Sequence, residues 1–294
     1  MLGSVITAMV TPFRADGAVD FERFRELATH LVESGSDGLV VCGTTGESPT
    51  LSDAEKLDLF RVAVDEVGGR AKVIAGAGTY DTAHSARLTE QASGLGVDGI
   101  LVVTPYYNKP PQRAIVRHFE EIAAATDLPV VAYNIPGRVV VNIESETIAR
   151  LAEIENIVAV KQAHDDPEQA RFIAEETRLD LYSGDDPNTL AFLDLGGVGV
   201  VSVTSHLWGP QIAEMIRRHR DGDVEGARAL HEEQRPSYDL LRIQTNPIPI
   251  KAALNLTGHE VGGHRLPMVE PDEEELTQIR SCLERAGLLA PASA

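Results

Sequence analysis

Eight short apolar runs recur along the chain with helix-forming stretches between them: "SVITAMV" (4–10), "GLVVCG" (38–43), "KVIAGAG" (72–78), "GILVVTP" (99–105), "PVVAYNI" (129–135), "NIVAVKQ" (156–162), "DLYSGDD" (180–186) and "GVGVVSV" (197–203). All but "DLYSGDD" are partly β-branched, and each is too short for a core helix and bounded by polar or glycine residues, the pattern of a buried strand. The intervening segments carry helix signals. Ser52 with Glu55 fits a capping box, Asp81 is a good N-cap, and Asp166-Pro167 and Asp186-Pro187 put proline at a first helical position. Phe24, Leu27, Ala28 and Leu31 have the spacing of one buried helix face. Strand and helix in alternation imply parallel strands joined by right-handed crossovers. Eight such units predict a closed (β/α)8 TIM barrel, with a doubly wound sheet as the alternative.

A helix around 210–220 completes the barrel. The remainder is helical by pattern, with breaks at Asp221-Gly222 and "NPIPI" (246–250), and the loop "TGHEVGGHRLPMVEP" (257–271) sets off a last helix before the tail "APASA". The expected division is a catalytic barrel over 1–222 and a C-terminal helical extension over 223–294.

Composition narrows the function. Hydrophobic residues at 43% and charged residues at 24% are those of a globular chain. No apolar run approaches the roughly 20 residues that span a bilayer, and "MLGSVITAMVTPFRADG" has no basic region of a signal peptide. Cys42 and Cys282 are too few for a disulfide framework, which points to the cytoplasm; Cys42, inside "LVVCG", reads as core. A formal charge of −19 argues against nucleic-acid and anionic-membrane partners. An anionic substrate would need a local arginine and aimed backbone N–H groups to overcome that field.

In a barrel of this kind the active site lies at the C-terminal ends of the strands. Those ends are "GTTGES" (43–48), "TPYYNKPP" (104–111), "YNIPGR" (133–138), Lys161 and "SGDD" (183–186). They supply hydroxyls, phenols, a guanidinium and an amine, with no His, Cys or carboxylate cluster at ligand spacing, so no metal is expected. Lys161 ends a core strand where the pattern calls for an apolar residue. Burial favours a neutral amine, which is a nucleophile for a ketone and yields a Schiff base that acts as an electron sink. The competing reading pairs Lys161 with a carboxylate such as Asp185.

"GTTGES" lacks the lysine of a phosphate loop; it reads as a turn or as an N–H cradle for a small carboxylate, its threonines available for proton relay. Tyr133 is a core tyrosine or a general acid–base, and Arg138 a surface ion pair or a bidentate carboxylate clamp. Tyr106 and Tyr107 are loop packing or an aromatic pair that meets another subunit.

"GTTGES", "TPYYNKPP", "YNIPGR", "AVKQA", "SGDD", "GVVSVT" and "NPIPIKAALNLTG", in this order from residue 3 to about 285, resemble the dihydrodipicolinate synthase family of the N-acetylneuraminate lyase superfamily. The resemblance implies condensation of pyruvate, as an imine on Lys161, with L-aspartate 4-semialdehyde, giving 4-hydroxy-tetrahydrodipicolinate for lysine and diaminopimelate biosynthesis. Tyr133 would donate and accept protons beside the imine. Thr45, with Thr44, would hold the pyruvate carboxylate. Thr44, Tyr133 and Tyr107 would form a proton relay, with Tyr107 supplied by a neighbouring subunit of a homotetramer built as a dimer of dimers. Arg138 would bind the carboxylate of the second substrate, and Gly184 and Val201 match backbone positions lining the pyruvate site. No cofactor is implied.

"GTTGE" and the arginine of "YNIPGR" favour the synthase over the alternative, a related pyruvate aldolase acting on a sialic or ketodeoxy sugar acid. A non-catalytic binding barrel is a third reading; the set Lys161, Tyr133, Thr44, Thr45 and Tyr107 argues against it. Gln162 departs from the acidic residue often found after the lysine. Lysine-inhibited family members bind lysine at the dimer interface through histidines, an asparagine and a glutamate. Ser48 and Tyr106 match that patch, whereas Pro49, Asp53, Lys56, Tyr80 and His84 stand at the other positions. Weak or absent lysine feedback is the expectation.

Overall fold

All eight apolar runs form strands: β1 Val5–Ala8, β2 Gly38–Val41, β3 Lys72–Gly76, β4 Gly99–Val103, β5 Val130–Asn134, β6 Ile157–Gln162, β7 Asp180–Ser183 and β8 Gly199–Ser202. Each pairs in parallel with the next, and β1 with β8 closes the barrel. This computed structural model describes residues 2–290; the last four residues of the expected extension and its tail lie outside that range.

Alternation along the strands produces two cores. Ile6, Ala8, Val40, Ile74, Leu101, Val131, Ala159, Tyr182 and Val201 fill the barrel. Their neighbours Val5, Leu39, Val41, Val73, Ile100, Val102, Val130, Val160, Leu181 and Val200 pack outward among the helices. Strands apolar on both faces in this way have no solvent side, which is why they read as continuous apolar runs rather than as alternation.

The helix signals mostly do as expected. Asp81 caps Thr82–Ser93, Ser52 and Glu55 form a reciprocal capping box on Asp53–Val67, and Asp166 caps Pro167–Glu176. Pro187 also falls in a first turn, here a short 3₁₀ segment, Asp186–Asn188, leading into Thr189–Asp194, but Asp186 belongs to that turn and does not cap it. The Asp186 carboxylate instead turns under the end of β8, accepting from the Ser202 and Thr204 hydroxyls and the Val203 and Thr204 N–H groups. Four donors there outweigh one helix cap. The helix expected around 210–220 begins earlier, at Ser205, and runs to Arg220 with a break at Trp208, just before Pro210.

Beyond it lie Val224–Glu233, Arg235–Ile243, Ile248–Leu256 and Glu273–Arg285. These C-terminal helices bear directly on the barrel mouth. Asn246 reaches Thr45 and Lys251 reaches Glu47, both in the loop after β2.

Candidate active site

Lys161 and Tyr133 are cross-strand partners on β6 and β5, so their side chains leave the sheet on the same face. That face is the inside of the barrel. Lys161 is 5% and Tyr133 4% exposed, and the amine lies over the phenol ring, 4.0 Å from its centroid. Among the described residues no carboxylate lies within ion-pair distance of Lys161, so the structural ion pair with Asp185 is not formed. Asp185 does share a cavity wall with the amine. Burial and the adjacent Asp186 push its carboxyl up to about 6, against the opposing pull of Arg242 and Lys161.

The next residue along β6, Gln162, points the other way. It is fully buried behind the sheet, accepting from Asn134 at 3.0 Å and donating to Gln169 at 2.7 Å. The departure from an acidic residue therefore sits in a neutral amide network outside the barrel, one layer removed from the amine.

The cavity above Lys161, about 320 Å³, is lined by Thr44, Thr45, Tyr133, Arg138, Lys161, Gly184, Asp185, Val203, Gln244 and Asn246, among others. Thr44 and Thr45 occupy a tight turn in which Gly46 N–H donates to Gly43 O and Glu47 N–H to Thr44 O. The N–H groups of Thr44 and Thr45 themselves have no acceptor among the described residues, which leaves two donors for a small anion. Thr45 is buried and its hydroxyl accepts from Asn246 Nδ2 at 2.8 Å. Arg138 extends from the turn Pro136–Val139, its guanidinium exposed toward the mouth and donating to the Asn246 carbonyl at 3.1 Å. Gly184 closes the wall beside the lysine. A Cβ there would lie 2.8 Å from Ala163 Cβ and 3.0 Å from Lys161 Cγ, so a side chain would push into the amine's stem.

A second, more apolar cavity of about 220 Å³ shares Thr44, Tyr133 and Arg138 and adds Cys42, Ser48, Pro49 and Tyr106. Burial pushes the Cys42 thiol up, as suits an inert core cysteine. Beside this cavity Tyr80 meets Tyr106 edge-on, His84 pairs with Asp53 at 2.8 Å, and Lys56 is 4% exposed.

Two expected residues stand apart. Tyr107 is 92% exposed, held at φ 72° and not part of the lining of the cavity above Lys161. Val201 packs inside the barrel beside Ile6, and Val203 forms the cavity wall at that strand end. One contributor was missed by reading along the sequence. Asn246 lies in the expected helix break, yet it touches both Thr45 and Arg138. The only local signal was an amide immediately before a proline.

The geometry is that of an amine, a phenol, two backbone N–H groups without an acceptor among the described residues and a guanidinium around one cavity. Residues 1–286 match the Dihydrodipicolinate synthetase family. The chain belongs to that family. The relatives include 4-hydroxy-tetrahydrodipicolinate synthases of Desulforudis audaxviator, 52% identical with 98% of each chain covered, and of Moorella thermoacetica, 50% identical over 98% of this chain and 99% of that one. Among solved structures, the Cyanidioschyzon merolae enzyme with lysine bound superposes with a TM-score of 0.96 at 47% identity, covering 98% of this chain and 99% of that one. The Thermotoga maritima enzyme gives 0.95 at 40%, covering 98% and 100%. The activity is accordingly the family's, 4-hydroxy-tetrahydrodipicolinate synthesis by a Schiff-base lyase, and these relatives give no support to the sugar-acid aldolase. No helix among the described residues is long and apolar enough to cross a membrane.

Proposed function

We propose that Lys161 attacks the pyruvate ketone and, with loss of water, forms the imine on which the reaction runs. A pyruvate methyl proton then leaves, the electron pair moving into the imine to give an enamine. The enamine carbon bonds to the aldehyde carbon of L-aspartate 4-semialdehyde, and the aldehyde oxygen takes up a proton. The substrate's amino group next adds to the imine carbon, closing the ring and expelling Lys161 as the free amine. Tyr133, across the strand pair, moves protons at the imine. The Thr44 and Thr45 N–H groups hold the pyruvate carboxylate, with Gly184 and Val203 lining that end of the site and Val201 packed inside the barrel two residues before Val203. Arg138 takes the carboxylate of the second substrate.

Tyr107 enters this scheme from a neighbouring subunit. Its exposure and its absence from the lining of its own cavity support a relay of Thr44, Tyr133 and Tyr107 completed across a dimer, and with it a dimer of dimers in the cytoplasm. The division into a barrel over 1–222 and a helical extension from 223 belongs to the same reading.

The observation that carries the proposal is the buried amine over Tyr133 with no counter-ion among the described residues, open to a cavity that Arg138 also lines. Borohydride reduction in the presence of pyruvate should add the mass of a reduced pyruvate adduct to a peptide containing Lys161. Lys161→Ala should give no adduct and consume no pyruvate when aspartate 4-semialdehyde is supplied. An adduct on the variant, or pyruvate consumption by it, would sink the assignment.

A further inference from the structure

The turn that carries Thr44 and Thr45 is gripped from behind by a buried ion pair for which the reaction as described has no use. Lys251, on the helix Ile248–Leu256, is 0% exposed. Its ammonium donates to Glu47 Oε1 at 3.0 Å, to Thr11 O at 3.0 Å and to Gly263 O, which uses all its hydrogens. The other Glu47 oxygen accepts from Arg265 N–H at 3.1 Å. Glu47 itself sits at φ 56°, a left-handed conformation that a non-glycine residue adopts only when its surroundings impose it. The same turn is held a residue earlier, where the Thr11 hydroxyl donates to Gly46 O at 2.7 Å.

Two arguments separate this arrangement from ordinary stabilisation. A buried ion pair gains little over packed side chains of similar volume, because desolvating both charges offsets most of their attraction. Here burial still pushes the Lys251 ammonium down despite the Glu47 charge beside it. The second argument is placement. Glu47 is two residues beyond Thr45, so the pair fixes the turn at the point where its backbone leaves the site. Ion pairs and hydrogen bonds are directional where apolar contacts are not, and a carboxylate cradle of two N–H groups loses its grip when misplaced by a fraction of an ångström.

We propose that the Lys251–Glu47 pair, with Thr11 and Arg265 N–H, is a positioning device that aims the Thr44 and Thr45 N–H groups at the substrate carboxylate. This rests on the assignment of those two threonines to pyruvate. Lys251 and Glu47 touch no substrate; they act through the turn. The consequence falls chiefly on one substrate, because the pair grips the pyruvate turn directly, whereas Arg138 is anchored to the Asn246 backbone carbonyl and meets that turn only through the Asn246 side chain on Thr45.

Removing only one charge would leave the other buried and unpaired, so the test uses the double variant Glu47→Gln/Lys251→Met, in which the amide still meets Arg265 N–H. The variant is expected to fold and to keep kcat within about threefold. Its KM for pyruvate should rise by about tenfold or more, and its KM for aspartate 4-semialdehyde should stay within about threefold, the signature of lost uniform binding of one substrate. Borohydride trapping on Lys161 should still reach completion at saturating pyruvate. A variant that fails to fold, or that loses thermal stability while its pyruvate KM stays within about twofold of the parent, marks a purely structural pair and overturns the proposal. Equal rises in both KM values overturn it as well. The parent enzyme is trapped in parallel. A parent that forms no adduct at Lys161 would refute the catalytic reading and this inference together, whereas adduct formation with unchanged pyruvate KM refutes the inference alone.

Discussion

Replacing Arg138 by methionine removes the guanidinium fork and keeps most of the apolar stem. One of its five N–H donors is committed to the Asn246 carbonyl at 3.1 Å, which anchors the plane and leaves the others for a ligand. Two parallel charge-assisted hydrogen bonds to a carboxylate are worth about 1.5–3 kcal/mol each when shielded. Arg138 is exposed at the cavity mouth, so solvent screening discounts the pair to about 2–3 kcal/mol in total. At about 1.4 kcal/mol per tenfold, kcat/KM for aspartate 4-semialdehyde should fall roughly 30- to 150-fold. Pyruvate should be almost indifferent, because its proposed cradle is the Thr44–Thr45 turn. The assay is steady-state turnover with aspartate 4-semialdehyde varied at saturating pyruvate, alongside borohydride trapping of pyruvate without the second substrate. Arg138→Lys, which retains the charge and loses the fork, should recover only part of the activity. Turnover within about threefold of the parent, or trapping reduced in proportion to turnover, would refute the reasoning. The first outcome would mean that the guanidinium binds no carboxylate, the second that it serves the pyruvate end.

Tyr107→Phe and Lys161→Ala subunits, each nearly inactive alone, should regain about one quarter of parental activity when randomly mixed, since each mixed dimer then holds one complete site; no recovery would place Tyr107 in its own chain's reaction or in none. Arg265 donates twice to Glu55 and holds that carboxyl down at about 2, below its ordinary 4.5. A carboxyl depressed in the fold contributes stability above its unfolded value, and that contribution is lost as pH falls from about 4.5 toward 2. The melting temperatures of parent and Arg265→Met should therefore differ at pH 7 and converge below pH 4, and a constant gap down to pH 2.5 would contradict this. Lysine at sub-millimolar concentration should leave turnover unchanged. Lys56 places a cation in the patch and His84 is engaged by Asp53, so inhibition at that level would overturn the expectation.

The eight strands, their order and most helix caps were legible because they depend on neighbours in the chain: apolar runs of fixed length, and a side chain that bonds to a backbone two or three residues away. Lys161 stood out for the same reason, as a polar residue at the end of a core strand, and strand pairing with Tyr133 follows once the barrel closes. Asp186-Pro187 shows the limit. Its local pattern is that of a cap, but β8 brings Ser202 and Thr204 to the carboxylate and the longer-range partners win. Gln162 could not be given a direction until the register fixed which residues of β6 face inward. The support of the site was least visible of all. Asn246 meets Thr45 across 201 residues of sequence and Lys251 meets Glu47 across 204. The sequence by itself determined the barrel and where its chemistry would gather, because short-range periodicity carries that information. Only the tertiary structure decided what holds the Thr44–Thr45 turn in place and which tyrosine lies outside the cavity, because those contacts exist only when distant segments are folded onto the same rim.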